Sequence, residues 1–340
     1  MKKNFLFIGF GSIGQRHFIN IKEQIIDGDF YVYIGENKTN ITIRPNFNII
    51  ESELKLLSSK TELQEKIRNF KKGDVIFICS RSFEHTENLL TIFDSSVKNI
   101  LIIIEKPLAT NQESLEKISN LKNNNNIYVV SQFRASKSFY SLDKMITRKT
   151  YGDLISFSFL NHEAIQTWHP WENYLESYST IKSMGGGCLL TQIHDLDILY
   201  SLIGLPVKSN FFIGDGNNLR IDADDYYLGS FLYDTQPSIF GSISSSYYCF
   251  NKTKVHSFIF EKAFIKWDLN LDILEINNKK NKDGKSFERN KLFQKIAKEV
   301  INISNSLERN QTHQSNKYSG LVKINDSFKL LEWLFLNTKN

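Results

Sequence analysis

Two short stretches of this chain carry side chains whose types and spacing could do acid–base chemistry. The first is Glu105-Lys106-Pro107, which closes the apolar run Ile100-Leu101-Ile102-Ile103-Ile104. A uniformly apolar, largely β-branched run reads as a strand buried on both faces, as in a parallel sheet covered by helices. Lys106 then stands at a strand's carboxyl end, the edge where open α/β sheets bind ligands, and the proline after it fixes its direction. If the sheet also holds a dinucleotide, Lys106 becomes a candidate for chemistry. By itself the tripeptide also reads as a strand-ending surface lysine followed by a turn. The second stretch runs from Gly185-Gly186-Gly187 through Cys188, Leu189 and Leu190 to Thr191-Gln192-Ile193-His194-Asp195-Leu196-Asp197. Three glycines permit close approach of backbone to a ligand, and the polar residues after them recur around a turn and a half of helix. His194 could move a proton near neutral pH, or simply be a core or capping histidine. Upstream, Trp168-His169-Pro170-Trp171-Glu172-Asn173-Tyr174 could stack on and hydrogen-bond a polyol, or form a buried aromatic turn.

A dinucleotide would give Lys106 its chemistry, and the amino terminus has the sequence for one. The apolar strand Asn4–Ile8 leads directly into Gly9-Phe10-Gly11-Ser12-Ile13-Gly14, and a helical pattern follows from Gln15 to Ile26. Gly9 permits the tight turn, Gly11 lets backbone approach a pyrophosphate, and Gly14 lets helix and strand pack, while the helix N-terminus offers amides and positive dipole. Glu36 ends the second strand, Phe30–Ile34, and lies 22 positions beyond Gly14. The expected spacing to a ribose-binding acid is about 20. A carboxylate there favours NAD over NADP, although Lys38 and Arg16 could accommodate a 2′-phosphate, and Glu36 also reads as a solvated turn residue. The turn Ser80-Arg81-Ser82-Phe83-Glu84-His85 falls at the same sheet edge, so Ser80 and His85 join the cofactor-groove residues, with His85 also suited to start a helix.

The elements that must position these groups alternate through the first part of the chain. Helical patterns at 61–70 and 85–93 separate apolar strands at 74–79 and 100–104, and one more strand, 127–131, follows the polar turn Asn123-Asn124-Asn125-Asn126. These repeated β-α units predict an α/β Rossmann domain with a doubly wound parallel sheet over residues 1–125. Residues 126–340 change character. Runs at 154–159, 226–233, 238–248, 255–260 and 263–269 alternate and are rich in aromatics, which predicts an α+β domain with a large, mostly antiparallel open sheet. One face of that sheet would pack on helices of the chain or on another subunit. Helical patterns at 291–304 and 321–336 close the chain, the last able to fold back on either domain.

Composition sets limits. With 340 residues, 41% of them hydrophobic, two cores are the default. The net charge of +5 is spread along the chain without a basic block, which argues for a small-molecule ligand over nucleic acid. Cys79, Cys188 and Cys249 lie far apart with no spacing for zinc or a disulfide framework, so no metal is expected and a reducing, cytoplasmic setting fits. The amino terminus runs straight into the first strand, with no pattern of a signal peptide, and no apolar stretch approaches the ~18 residues of a membrane span.

Taken together, Ile8–Gly14 with His17, His85, Glu105-Lys106-Pro107-Leu108, Gln132-Phe133-Arg134, Gly152 and Gly185–Asp197 resemble the glucose-fructose oxidoreductase, inositol dehydrogenase and rhizopine-catabolism (Gfo/Idh/MocA) superfamily. The short glycine-to-histidine spacing, the Trp168-His169-Pro170 segment and Ile265-Lys266-Trp267-Asp268 look like the subgroup of surface-polysaccharide or nonulosonate biosynthesis. The resemblance implies an enzyme that transfers hydride between NAD or NADP, NAD favoured, and a carbinol or carbonyl carbon of a sugar or nucleotide sugar. It implies that Lys106 and His194 act at the reacting carbinol, and that Glu105 and Lys106 lie near the cofactor with Pro107 as a candidate cis-proline. Arg134, Trp168, His169, Tyr174, Asp195 and Asp197 become substrate-side residues, and the C-terminal sheet a homo-oligomer interface. The resemblance also leaves open an epimerase or lyase that oxidises transiently, as some superfamily members do, and Thr191, standing where the family commonly has an aspartate, leaves open a non-catalytic NAD-dependent sensor.

Overall fold

The computed structural model describes residues 2–45, 47–95, 97–168, 172–280, 287–313 and 316–338. The chain divides into two compact units, Met1–Gln132 with Arg289–Phe328, and Phe133–Glu288 with Lys329–Asn340. The sequence pattern places one cut after residue 125. The structure moves strand 127–130 and the segment 289–328 into the first unit, because both complete the first sheet and its cover.

In the first unit, β1 (Lys3–Ile8) leads into α1 (Ser12–Lys22), followed by β2 (Gly28–Tyr33), β3 (Leu54–Leu57) and α2 (Lys60–Arg68). Then come β4 (Val75–Ile78), α3 (His85–Asp94), β5 (Leu101–Ile104), α4 (Gln112–Lys117) and β6 (Ile127–Val130). Later in the chain, α8 (Asn290–Glu308) packs beside α1, and β15 (Leu321–Lys323) leads into α9 (Ile324–Asn337), whose residues from Lys329 on belong to the second unit. The sheet order is β15-β6-β5-β4-β1-β2-β3, parallel throughout except for β15 on β6. Every residue of β4 and β5 is buried, as the apolar runs require. Phe7 stacks on Phe77 at 4.9 Å and meets Phe10 and Phe18 edge-on, so aromatic packing joins β1, β4 and α1. The strand order reverses between β1 and β4, which opens a crevice at their carboxyl ends. One expected element differs: Leu321-Val322-Lys323 is not the start of a helix but a short strand, since pairing with Val130, Val129 and Tyr128 satisfies its backbone.

In the second unit, α5 (Lys137–Thr147), α6 (Cys188–Thr191) and α7 (His194–Ile203) accompany an eight-stranded sheet. Its strands are β7 (Leu154–His162), β8 (Lys208–Ile213), β9 (Tyr226–Tyr233), β10 (Ile239–Ser246), β11 (Thr253–Phe260), β12 (Phe264–Asp268), β13 (Ile273–Ile276) and β14 (Lys279–Lys280). The order is β14-β13-β12-β11-β7-β10-β9-β8, antiparallel except for β10 on β7. One face buries Phe157, Phe159, Tyr227, Phe231, Phe258 and Trp267. The other face is open: Phe212, Leu228, Phe240, Leu160, Ile259 and Phe264 are exposed, and Ser230, Ser242, Ser158 and Ser257 align in one row across four strands between them.

Candidate active site

The glycine loop begins with Gly9 at φ +88°, where a Cβ would lie 2.4 Å from the Ser80 backbone nitrogen. A Cβ on Gly14 would meet the Gly9 carbonyl oxygen at 2.6 Å, so both positions exclude side chains by close packing. Gly11 differs, because nothing lies within 4 Å of its missing Cβ and it offers no side chain to cap α1. The loop therefore keeps open space against a helix N-terminus, which is the cradle a dinucleotide pyrophosphate needs, and the residues present fit NAD(P). Of the loop residues read from sequence, Phe10 turns its ring into the core and can offer only backbone. Ile13 packs partly against the same core, and Ser12 begins the helix. Gln15 braces the loop from behind: its amide donates to the Phe10 and Thr42 carbonyls and accepts from the Arg44 N–H. Glu36 is exposed and accepts from the Lys60 N–H at 2.9 Å.

Lys106 lies just past the carboxyl end of β5, partly exposed, with the Lys106–Pro107 peptide cis as expected. Two histidines fix this strand end. His17 of α1 and Glu105 are both buried, with Nε2 2.8 Å from Oε1, while Glu105 Oε2 accepts from the Lys106 N–H at 3.3 Å. Burial pushes the Glu105 carboxyl up, but His17, then Lys106 and His85, outweigh it and leave it below its ordinary value. Glu105, expected as a cofactor contact, is thus turned inward on protein partners, and its fixed charge sits beside Lys106. His85 opens α3 at 2% exposure, with Nδ1 2.8 Å from the Pro107 carbonyl and Nε2 3.1 Å from that of Ser80. Burial drives its imidazole toward the neutral form, against the pull of those two carbonyls. Ser80 accepts from Asn88 through Oγ and presents its backbone to Gly9. The glycine loop and the ends of β4 and β5 are consequently one braced assembly.

In the second unit, His194 begins α7, half-buried, with the Phe133 ring edge-on at 5.2 Å. Thr191 is buried at the end of α6, its hydroxyl within 2.8 Å of the Gly187 carbonyl and 2.6 Å of the Tyr247 hydroxyl. Arg134 and Asp197 form a buried bidentate pair, Nε to Oδ2 at 2.8 Å and Nη2 to Oδ1 at 2.5 Å. Asp195 is fully buried between His256 Nε2, 2.9 Å from Oδ1, and Asn161 Nδ2, 2.8 Å from Oδ2. These three expected substrate residues are therefore held by protein partners around the start of α7. Trp168 meets Tyr247 edge-on at 5.3 Å, and its indole N–H has no acceptor among the described residues. Tyr174 donates to the Leu219 carbonyl at 3.4 Å, while His169 lies outside the described residues.

Burial pushes the thiols of Cys79 and Cys188 well up, which suits packing rather than nucleophilic chemistry. Among the described residues no group of His, Cys, Asp and Glu could hold a metal ion. His256, Asn161 and the partner role of His17 are the functional candidates that motif reading passed over. Strand alternation contained a signal for the first two, since His256 shares a face with Phe258 and Phe260, and Asn161 with Phe157 and Phe159. A polar residue in an apolar row calls for a buried partner.

Residues 3–133 match the Gfo/Idh/MocA model, described as an oxidoreductase family with an NAD-binding Rossmann fold. No curated protein matches the chain in sequence. Among solved structures, the chain is similar to the WlbA dehydrogenase of Bordetella pertussis in complex with NADH and UDP-GlcNAcA, at 16% identity over 99% of this chain and 96% of that one, TM-score 0.70. It is similar to an oxidoreductase of Thermotoga maritima at 14% identity over 99% and 96%, TM-score 0.74. A levoglucosan dehydrogenase in complex with NADH and levoglucosan aligns at 14% identity over 100% and 98%, TM-score 0.71. At such identities the likeness is one of fold.

Proposed function

We propose that the chain, whose residues 3–133 match the Gfo/Idh/MocA oxidoreductase model, is a member of that family acting as an NAD(P)-dependent dehydrogenase or reductase of a sugar or nucleotide sugar. The observation that carries the reading is Lys106, held at the strand end by Glu105, His17 and His85 within the same braced assembly as the open glycine cradle. When bound, NAD(P) supplies the hydride acceptor or donor. Gly11 and the first amides of α1 would hold its pyrophosphate. The Lys106 ammonium hydrogen-bonds the substrate oxygen as negative charge develops on it, and His194 takes the hydroxyl proton onto its imidazole. In the reverse direction His194 returns that proton. Thr191 acts by orienting the glycine turn, through its bond to Gly187. Trp168, whose indole N–H has no acceptor among the described residues, is the substrate contact of the aromatic segment.

The same proposal includes self-association through the open face of the second sheet, where exposed Phe240, Leu160 and Leu228 flank the serine row. The three free cysteines accord with a cytoplasmic setting. The test is NADH formation followed by near-ultraviolet absorbance, with UDP-GlcNAcA, levoglucosan and other polyhydroxylated substrates supplied with NAD or NADP. Net NADH accumulation with a sugar or nucleotide sugar is expected. Conversion of such a substrate with no net change in absorbance would instead reveal transient oxidation.

A further inference from the structure

We infer that Gln15 is a positioning residue for the cofactor: it holds the Phe10 carbonyl from the buried side and so turns the Gly11 N–H toward the pyrophosphate, while the same side chain ties the segment after β2 to the loop. The inference rests on the reading of the glycine loop as the pyrophosphate cradle. Gln15 lies near the start of α1 and is 0% exposed. Its Nε2 donates to the Phe10 carbonyl at 2.9 Å and to the Thr42 carbonyl at 2.8 Å, and its Oε1 accepts from the Arg44 N–H at 2.9 Å. Two carbonyls and one N–H thus meet a group that has two N–H donors and an acceptor oxygen. A carboxylate of the same shape would face both carbonyls with no proton to give, and an apolar side chain would leave three backbone groups without these bonds.

The consequence for the loop follows from the peptide plane. Among the described residues the cis peptides are Lys106–Pro107 and Gln236–Pro237, so Phe10–Gly11 is trans. In a planar trans peptide the C=O and the N–H that follows it point in opposite directions. With its carbonyl fixed against the buried Gln15, the Phe10–Gly11 peptide sends the Gly11 N–H to the other side, where Gly11 is exposed and nothing lies within 4 Å of its missing Cβ. An N–H aimed in advance into that space is a ready donor to a phosphate oxygen. The start of the loop is held separately, since the Gly9 N–H donates to the Tyr33 carbonyl at 2.8 Å. The second tie reaches the segment that follows β2. Its Ile41, Ile43 and Ile49 pack against the core of the first unit, and the Arg16 guanidinium lies 5.5 Å from the centre of the Phe47 ring, which seats the segment beside α1. Thr42 and Arg44 of this seated segment fix the plane of the Gln15 amide, and that plane keeps an N–H on the Phe10 carbonyl.

The experiment uses the full-length protein with nitrogen-15 label in its glycines, the Gly11 amide signal being identified with Gly11→Ala. In wild type, saturating NADH should shift that signal as the Gly11 N–H bonds a phosphate oxygen. Gln15→Met, which keeps the length of the side chain and loses its donors, is expected to weaken NADH binding, read by fluorescence titration, about tenfold, as for one hydrogen bond to a charged group. ADP should weaken by a like factor, while adenosine, which has no phosphate, should bind as it does to wild type. A purely structural role would lower the melting temperature and leave the ratio of ADP to adenosine affinity where it is. Folded Gln15→Met with the NADH affinity of wild type, or with its ratio of ADP to adenosine affinity, overturns the inference. If that variant does not fold, a wild-type Gly11 signal that stays in place at saturating NADH overturns it instead. Each of these results leaves the dehydrogenase reading standing, whereas wild type that binds neither NADH nor NADPH would remove that reading and the inference with it.

Discussion

At the scale of single residues, the account turns on carboxylates that face inward. Glu105 reads from sequence as a cofactor contact because it adjoins Lys106, yet its partner His17 lies 88 residues away in the chain and no local pattern announces the pair. The same holds for Arg134 and Asp197, 63 residues apart. The motif positions were legible because glycine turns and strand ends are local, whereas the partners were not, because pairing is decided by the fold. Glu105 gives a pH test with a definite sign. Its carboxyl is held below its ordinary value in the folded protein, so it stabilises the fold above the unfolded value of ~4.3 and the contribution fades as pH falls through the folded value. Glu105→Gln should therefore melt well below wild type at neutral pH, with the gap narrowing below about pH 4.3. Melting curves of the two proteins across that range check it, and a gap that widens on acidification would count against the His17 pairing.

At the scale of elements, the glycine loop with α1 makes the sharpest prediction, because its glycines are tight for different reasons. Gly14→Ala must push a methyl into the Gly9 carbonyl, and the protein should lose stability. Gly11→Ala has room and an ordinary φ of −72°, so its melting temperature should hold while NADH affinity, read by fluorescence titration, falls tenfold or more, roughly the loss of one good contact. Equal NADH binding by Gly11→Ala would place the pyrophosphate elsewhere. The short helix α6 offers a second case. Burial pushes the Asp224 carboxyl up to about 6 although the Leu189 N–H bonds it, so its ionisation costs stability as pH rises from ~3.9 through that value. Asp224→Asn should gain on wild type in melting temperature between pH 4 and neutrality. The apolar strands β4 and β5 were readable from composition alone. The strand β15 was not, since its three residues gain their identity only from pairing with β6.

At the scale of the whole molecule, the sequence correctly divides a parallel-sheet part from a mostly antiparallel part, and it misses the return of residues 289–328 to the first unit. A chain's return to an earlier unit leaves no mark in local periodicity, because α8 would show the same amphipathic pattern wherever it packed. The proposed self-association rests on the exposed Phe240, Leu160 and Leu228 of the second sheet. Light scattering should give a multiple of the 39.5 kDa chain, and charges placed there as Phe240→Glu with Leu160→Glu should return the mass to one chain. A wild-type monomer would contradict self-association through this face. The most direct test of the central claim is Lys106→Met, assayed for NADH formation on the substrate that wild type turns over. Turnover is expected to fall by about 10²-fold or more, with NADH binding unchanged. Wild-type turnover in Lys106→Met would contradict the role given to this lysine and the reaction built on it.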